Sequence, residues 1–361
     1  MSRLSNAVRG LAIKALQCGP IPQHVGFIMD GNRRYGRKVQ VGNGRGYYLG
    51  YETLEEILAV CMEMGVKVVT VYAFSIENFK RPPDQVDTLM ELAKTKLAEL
   101  CEHSELVNQY GIGIRVLGNV SLLPDDVRKV VHRAVELTKK NTRAILNMCF
   151  PYTSREELTM ASRSLVSGIE ARELDPSDIT TGVLENSLYT RSCPPMDILI
   201  RTSGEIRLSD FMLWQSSRAC HVEFIDCFWP EFTFWKLLPI LLRYQTRATF
   251  ITHFRREYEK RDESEPRQEY ESLHETDVEE DIHKTVGYEN LMYHEQHSDD
   301  EESSDTSLDS ITLHKNSSVS TLVTSDREDS YICQALEKKQ RVAEFLAHRG
   351  HLPYCPMVEL Q

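Results

Sequence analysis

From residue 24 to about 245, short unbroken apolar runs alternate with longer stretches whose apolar residues recur every three or four positions. The short runs read as buried strands at 25–29, 67–74, 113–117, 144–150, 197–201 and 221–225. The periodic stretches near 46–64, 85–108, 124–140, 154–170 and 178–188 read as helices, with one more after Trp229-Pro230. Alternation of this kind predicts right-handed crossovers and an α/β domain, a central, mostly parallel, six-stranded sheet flanked by helices. Ligands of such sheets sit beyond the carboxyl ends of the strands. Chemistry is therefore expected on the segments that leave the strands.

Two apolar patterns admit two readings each. Val86, Leu89, Met90, Ala93, Leu97 and Leu100 form a stripe along the 85–108 helix; it packs the core or walls a long apolar ligand. Within 1–20, Val8-Arg9-Gly10-Leu11-Ala12-Ile13-Lys14-Ala15-Leu16 predicts an amphipathic helix that packs on the core or lies on a membrane surface. The main domain is placed at 21–252. Beyond it the pattern dissolves into Arg, Glu, Ser and Asp, so 253–330 is expected to be an acidic, Ser-rich disordered region that buries too little apolar area to offset its chain entropy. Its densest acidic run, 298–305, makes Ser303 and Ser304 candidate acidophilic kinase sites. A short C-terminal helix and tail are placed at 331–361, with Gly350 available as the helix cap.

Charge follows the same division. The formal net charge of −12 over 361 residues conceals 30 basic against 28 acidic residues up to position 250 and 12 against 26 after it. The acidity lies outside the main domain and does not argue against a phosphate-handling site. No nucleic-acid partner is expected. Nine scattered cysteines, with no C-x-x-C pair, favour reduced thiols over disulfides or structural zinc. Neither a signal-peptide core nor a run of about 18 apolar residues is present, so a secretory leader and a transmembrane helix are not expected.

Three post-strand segments carry candidate chemistry. Phe27-Ile28-Met29-Asp30-Gly31-Asn32-Arg33-Arg34-Tyr35 sets one carboxylate, a glycine and two guanidiniums after an apolar run. Such a loop suits Mg²⁺ and a diphosphate, although Asp-Gly-Asn is also ordinary turn chemistry. Tyr72-Ala73-Phe74-Ser75-Ile76-Glu77-Asn78-Phe79-Lys80-Arg81-Pro82 offers a hydroxyl, an amide and a guanidinium three apart, or a capped solvated loop. Ile200-Arg201-Thr202-Ser203-Gly204-Glu205-Ile206-Arg207-Leu208-Ser209-Asp210 makes a second anion cradle, or a long loop with surface arginines. The chain has no P-loop, no G-x-G-x-x-G and no metal-spaced His/Cys set. One carboxylate with several arginines and no activated nucleophile points to diphosphate handling rather than acyl transfer or hydrolysis.

These segments, with His24-Val25, Cys149-Phe150-Pro151-Tyr152-Thr153-Ser154-Arg155 and Trp229-Pro230-Glu231, resemble the cis-prenyltransferase (undecaprenyl diphosphate synthase) family over roughly 20–245, closest to its eukaryotic branch that makes dehydrodolichyl diphosphate. The resemblance implies a fold with a hydrophobic tunnel, and Z-type condensation of isopentenyl diphosphate onto farnesyl diphosphate to give long polyprenyl diphosphates for dolichol synthesis and protein glycosylation. It implies Mg²⁺ at Asp30, with Gly31, Asn32, Arg33 and Arg34 cradling the allylic diphosphate and Arg81 beside it. Ser75 and Asn78 would lie near the reacting carbons, and Arg201, Arg207 and Ser209 would bind isopentenyl diphosphate. The departures sit at Asn43-Gly44-Arg45-Gly46-Tyr47, where the family arginine shifts to Arg45 and its histidine is Tyr47, and at Gln85, a neutral substitute for an acid. The metal-assisting glutamate of homodimeric members falls at His221 or Cys220, and the final Val358-Glu359-Leu360-Gln361 lacks their Arg-x-Gly tail. Both absences resemble the two-subunit arrangement, which implies a Nogo-B-receptor-like partner subunit and a peripheral position on the cytosolic face of the endoplasmic reticulum membrane. The other reading is a weakly active or inactive paralogue that serves as a regulatory subunit; a phosphohydrolase is weaker, because no second carboxylate cluster is evident.

Overall fold

The computed structural model describes residues 3–102, 105–264 and 324–349. The chain divides into one unit of 1–260 with 337–361 and a second of 261–336. Six strands, β1 (His24–Ile28), β2 (Val68–Tyr72), β3 (Ile112–Leu117), β4 (Ala144–Cys149), β5 (Ile198–Thr202) and β6 (His221–Ile225), form one parallel sheet in the order β3-β4-β2-β1-β5-β6. The near-continuous burial of β1 to β5 is what a parallel sheet covered on both faces requires, while the terminal strand β6 is only partly buried.

Helices are α1 (Arg3–Leu16), α2 (Asn32–Lys38), α3 (Gly42–Met64), α4 (Pro83–Glu102), α5 (Glu105–Tyr110), α6 (Asp125–Thr138), α7 (Ser154–Glu170), α8 (Thr181–Glu185), α9 (Leu213–Ser217), α10 (Phe234–Ser264) and α11 (Thr324–Arg349). Local chemistry sets several ends. The Thr153 side chain accepts the Glu156 N–H and begins α7, while Gly65 in the left-handed region ends α3. On α6, Val127, Val131, Ala134 and Val135 are buried at helical spacing, with Asp125 and Asp126 in the first turn, where the helix dipole favours them.

Three differences from the sequence pattern affect the site. Residues 32–38, read as loop, form α2, so Arg33 and Arg34 leave the strand on a helix. The 85–108 helix is two helices, α4 and α5. Asn43 and Arg45, read as preceding a helix, lie inside α3. Helix α1 packs by Ile13 and Leu16 into the main core and ties Arg9 to Glu63 at 3.1 Å, while Leu11 stays 70% exposed. Among the described residues no helix is long and apolar enough to cross a membrane. The acidic run and Ser303 and Ser304 lie outside the described residues.

Candidate functional site

At the carboxyl ends of β1, β2, β4 and β5 opens a cavity of about 930 Å³. Its mouth is charged and its depth apolar: Asp30, Arg33, Arg34, Arg81, Arg201 and Arg207 line one part, Leu54, Leu58, Leu89, Leu97 and Leu100 another.

Asp30 is fixed by its own backbone. Its N–H donates to the Thr202 hydroxyl at 3.1 Å, and its carbonyl accepts from that hydroxyl at 2.8 Å and from the Trp229 N–H at 2.9 Å. Gly31 follows at φ 100°, and a Cβ there would meet the Phe228 ring 2.7 Å away; only glycine turns this corner without strain. Behind it α2 lies so close to α3 that a Cβ on Gly50 would sit 2.1 Å from Asn32 Oδ1. Asn32 itself donates to the Met29 carbonyl at 3.0 Å, so it braces the turn.

The carboxylate is shared between the two anion cradles. Arg201 reaches Asp30 Oδ2 at 2.9 Å, Ser209 Oγ at 2.8 Å and the Arg207 carbonyl at 2.5 Å, while Arg34 reaches Asp30 Oδ1 at 3.3 Å. Arg34 also pairs with Glu205 at 3.0 Å, and Glu205 pairs with Arg207. The Arg207 partner, then Arg34, holds the Glu205 carboxyl below its usual range. The two loops thus form one continuous charged rim.

On the other side, Arg33 donates to Gln85 Oε1 at 2.8 Å, so the neutral substitute has a defined partner. Tyr47 lines the cavity beside Arg81 and Arg33; burial raises its phenol above the ordinary value, so it is a neutral donor at physiological pH. Burial also lowers Arg81. The Ser75 hydroxyl caps the short 76–80 helical turn by accepting the Glu77 N–H, and Asn78 Oδ1 accepts the Ser75 N–H at 3.1 Å. The capping reading of this segment holds, and both side chains line the cavity.

The Ser209 segment is clamped from α7. Ser154 N donates to the Asp210 carbonyl at 2.8 Å, its hydroxyl accepts Leu213 N at 2.9 Å, and Arg155 Nε reaches Asp210 at 2.7 Å. Beneath them the buried Glu157 accepts from Tyr152 at 2.5 Å, Gln215 at 3.0 Å and the Tyr189 N–H at 2.8 Å, and burial raises its carboxyl. Ser203, Ser209, Asp210 and Met212 all have positive φ, strain that such a clamp can hold at a functional loop.

All but one of the sequence-derived site residues line this cavity. Arg45 does not: on α3 its side chain is exposed and lies 4.0 Å from Glu52, because the helix directs it away from the Tyr47 face. His221, where the family glutamate is absent, opens β6 at the amino-terminal end of the parallel strands and meets Glu223 at 2.9 Å. Missed were Arg37, Arg155 and Glu205, with Glu55, Glu77 and Asp210 as further carboxylates in the lining. Arg37 follows Arg33 and Arg34 at helical spacing, a signal hidden by the loop reading. Of the apolar stripe, Leu89, Ala93, Leu97 and Leu100 line the cavity, and Val86 and Met90 pack towards the cluster shared with α6. Among the described residues no group of three His, Cys, Asp or Glu side chains is placed to hold a metal.

The undecaprenyl diphosphate synthase family model matches residues 28–251. A dehydrodolichyl diphosphate synthase complex subunit of Homo sapiens is 48% identical over 243 residues, 67% of this chain and 73% of that protein. The corresponding subunit of Schizosaccharomyces pombe is 46% identical over 65% of this chain and 89% of its own. Among solved structures, lavandulyl diphosphate synthase from Lavandula x intermedia in complex with dimethylallyl diphosphate is similar at TM-score 0.59 and 30% identity, over 62% of this chain and 95% of that one.

Proposed function

From the premise that the chain belongs to the undecaprenyl diphosphate synthase family of prenyltransferases, we propose that it elongates farnesyl diphosphate with isopentenyl diphosphate, in Z geometry, to dehydrodolichyl diphosphate. The family assignment makes it a transferase of polyprenyl chain elongation. The observation that carries the finer reading is Asp30 held between Arg34 and Arg201 at the charged mouth of a leucine-lined cavity.

In this reading the allylic diphosphate lies against Arg33, Arg34 and Arg81 with Tyr47 donating, and the isopentenyl diphosphate against Arg201, Arg207 and Ser209. Guanidiniums stabilise the departing diphosphate as its C–O bond breaks, and they are most useful where charge accumulates. Ser75 and Asn78, fixed by their mutual cap, border the carbons that join and the proton that is lost. The growing chain then runs along Leu89, Ala93 and Leu97. Among the lining carboxylates, Asp30 stands between the two arginine cradles, and one carboxylate beside substrate diphosphate suits Mg²⁺, which takes one or two carboxylates and completes its shell with phosphate and water. Asp30 would hold it, and when bound it supplies further neutralisation of the leaving diphosphate.

The same reading includes a partner subunit of the Nogo-B-receptor type and a peripheral place on the cytosolic face of the endoplasmic reticulum membrane. Support comes from the relatives' description as complex subunits and from the exposed Val8 and Leu11 of α1. The paralogue reading is not favoured, because the Asp30 turn and its arginines are intact. The test is co-expression with a partner subunit and measurement of isopentenyl diphosphate incorporation into farnesyl-primed product with Mg²⁺. Asp30→Ala is expected to lower the rate by roughly 100-fold or more; incorporation unaffected by it would sink the assignment.

A further inference from the structure

A row of polar side chains crosses the sheet away from the cavity mouth. Arg115 on β3, Asn147 on β4 and Thr70 on β2 stand in register, and His24 on β1 reaches Thr70 Oγ1 at 2.7 Å. Part of the row satisfies itself: Asn147 Nδ2 donates to Thr70 Oγ1 at 3.0 Å, and His24 Nδ1 lies 2.9 Å from the Pro194 carbonyl, while Asn147 Oδ1 is buried without a hydrogen-bond partner.

Arg115 is different. It is 2% exposed, its Nη2 is buried with no hydrogen-bond partner, and its Nη1 meets the Cys193 sulfur at 3.8 Å. Among the described residues no carboxylate lies within ion-pair distance of it. A guanidinium does not give up its proton in a protein, and a buried cation without a counter-ion is strongly destabilising. The Asn147 amide adds a second donor to the same sulfur at 3.5 Å. Two donors, one of them cationic, converge on a thiol that is half-buried and free of disulfide.

We propose that Cys193 is a modification site: a thiolate that serves as the counter-ion of Arg115 and reacts with peroxide. A thiolate completes the ion pair, accepts from both donors and is the nucleophilic form of cysteine. With hydrogen peroxide its sulfur forms an S–O bond as the O–O bond breaks; sulfenic acid results, and the departing hydroxide takes up a proton as water. Sulfur loses two electrons and the peroxide gains them.

The surrounding groups leave Arg115 as the cation that acts on it from the sheet. His24 is neutral, since burial pushes its pKa down to about 4. Cys149 on β4 is buried and pushed well up, first by burial and then by Glu157 and Cys193. Burial likewise raises Glu157 on α7, and Arg191 comes from the same loop as Cys193.

The test uses the full chain, with per-cysteine iodoacetamide labelling followed by mass spectrometry from pH 5.5 to 9.5. Exposed Cys18 is the internal reference. The labelling midpoint of Cys193 is expected at least one pH unit below that of Cys18, and dimedone after mild peroxide is expected to mark Cys193 first. Arg115→Met should raise the midpoint to that of Cys18. If that variant does not fold, Cys193→Asp and Cys193→Ala decide instead: the aspartate retains the wild-type melting temperature and the alanine lowers it. A Cys193 that titrates with Cys18, or an alanine variant as stable as the aspartate one, overturns the proposal.

Discussion

Arg201 illustrates how a single side chain joins two halves of a site. It is buried, yet its guanidinium meets Asp30, Ser209 and the Arg207 carbonyl at once. A lysine keeps the charge but has no planar fork with which to hold three partners. Arg201→Lys is therefore expected to raise KM for both diphosphates by roughly 10- to 100-fold, since hydrogen bonds to charged groups contribute about 1.5–3 kcal/mol. Steady-state kinetics with each substrate varied in turn will check this, and an effect confined to isopentenyl diphosphate would show that the bridge to Asp30 is functionally silent. The residue types of the site were legible in sequence, because carboxylate, glycine and arginine after a strand follow from diphosphate chemistry. The Arg201–Asp30 contact was not, because it depends on β1 lying beside β5, a pairing between segments far apart in sequence. Arg45 was misplaced for a local reason: spacing alone does not say which face of a helix a residue takes.

Elements decide what the chain can hold and under which conditions it holds together. On α4, Ala93 is the smallest residue of the cavity-facing stripe, with Leu89 and Leu97 a turn away on either side. Ala93→Phe adds bulk where a growing chain would pass, so product analysis is expected to show a shift to shorter polyprenols with little change in the KM values of the starting substrates. Unchanged product length would exclude this wall from the path of the chain. At the other end of the sheet, His24 ties β1 to β2 through Thr70 and to the Pro194 loop. Burial lowers its pKa from 6.5 to about 4. Below pH 6.5 the unfolded chain takes up a proton that the folded chain refuses until about pH 4, so stability falls as pH drops through that window. The full contribution is about 3 kcal/mol at 1.36 kcal/mol per pH unit. Denaturant unfolding should show wild type losing more stability than His24→Asn between pH 6.5 and 4; parallel losses would contradict the assignment. The strands and most helices were legible from their periods. Helix α2 was not, because its sequence is polar and carries no apolar period, and it forms by packing on α3.

At the scale of the whole molecule, the unit of 1–260 with 337–361 closes some of its surface and leaves one face open. Phe345 of α11 is buried against Gly168, Leu165, Leu174 and Val183, and Arg341 pairs with Asp178 at 3.0 Å. The sequence showed a helix near that position but not its seat, since Gly168 reads as an ordinary helix residue until an aromatic ring is found over it. In contrast, α10 buries Leu237, Ile240, Leu241 and Tyr244 on one side and exposes Trp235, Leu242, Phe250 and Phe254 on the other. Large apolar side chains repeated along an exposed helix mark an interaction surface rather than chance exposure. Given the partner subunit proposed for this chain, that face is the expected seat of the partner, on the helix whose Arg243 pairs with Glu223 of the terminal strand β6. Exchanging exposed side chains for charged ones leaves the buried side of α10 intact, so Trp235→Glu with Phe250→Glu should keep the melting temperature of the isolated chain within a few degrees. In co-expression the double variant is expected to lose the co-purifying partner and most of the polyprenyl elongation activity together. A double variant that retains both would place the interface elsewhere, and one that keeps the partner but loses activity would assign α10 to the catalytic unit itself.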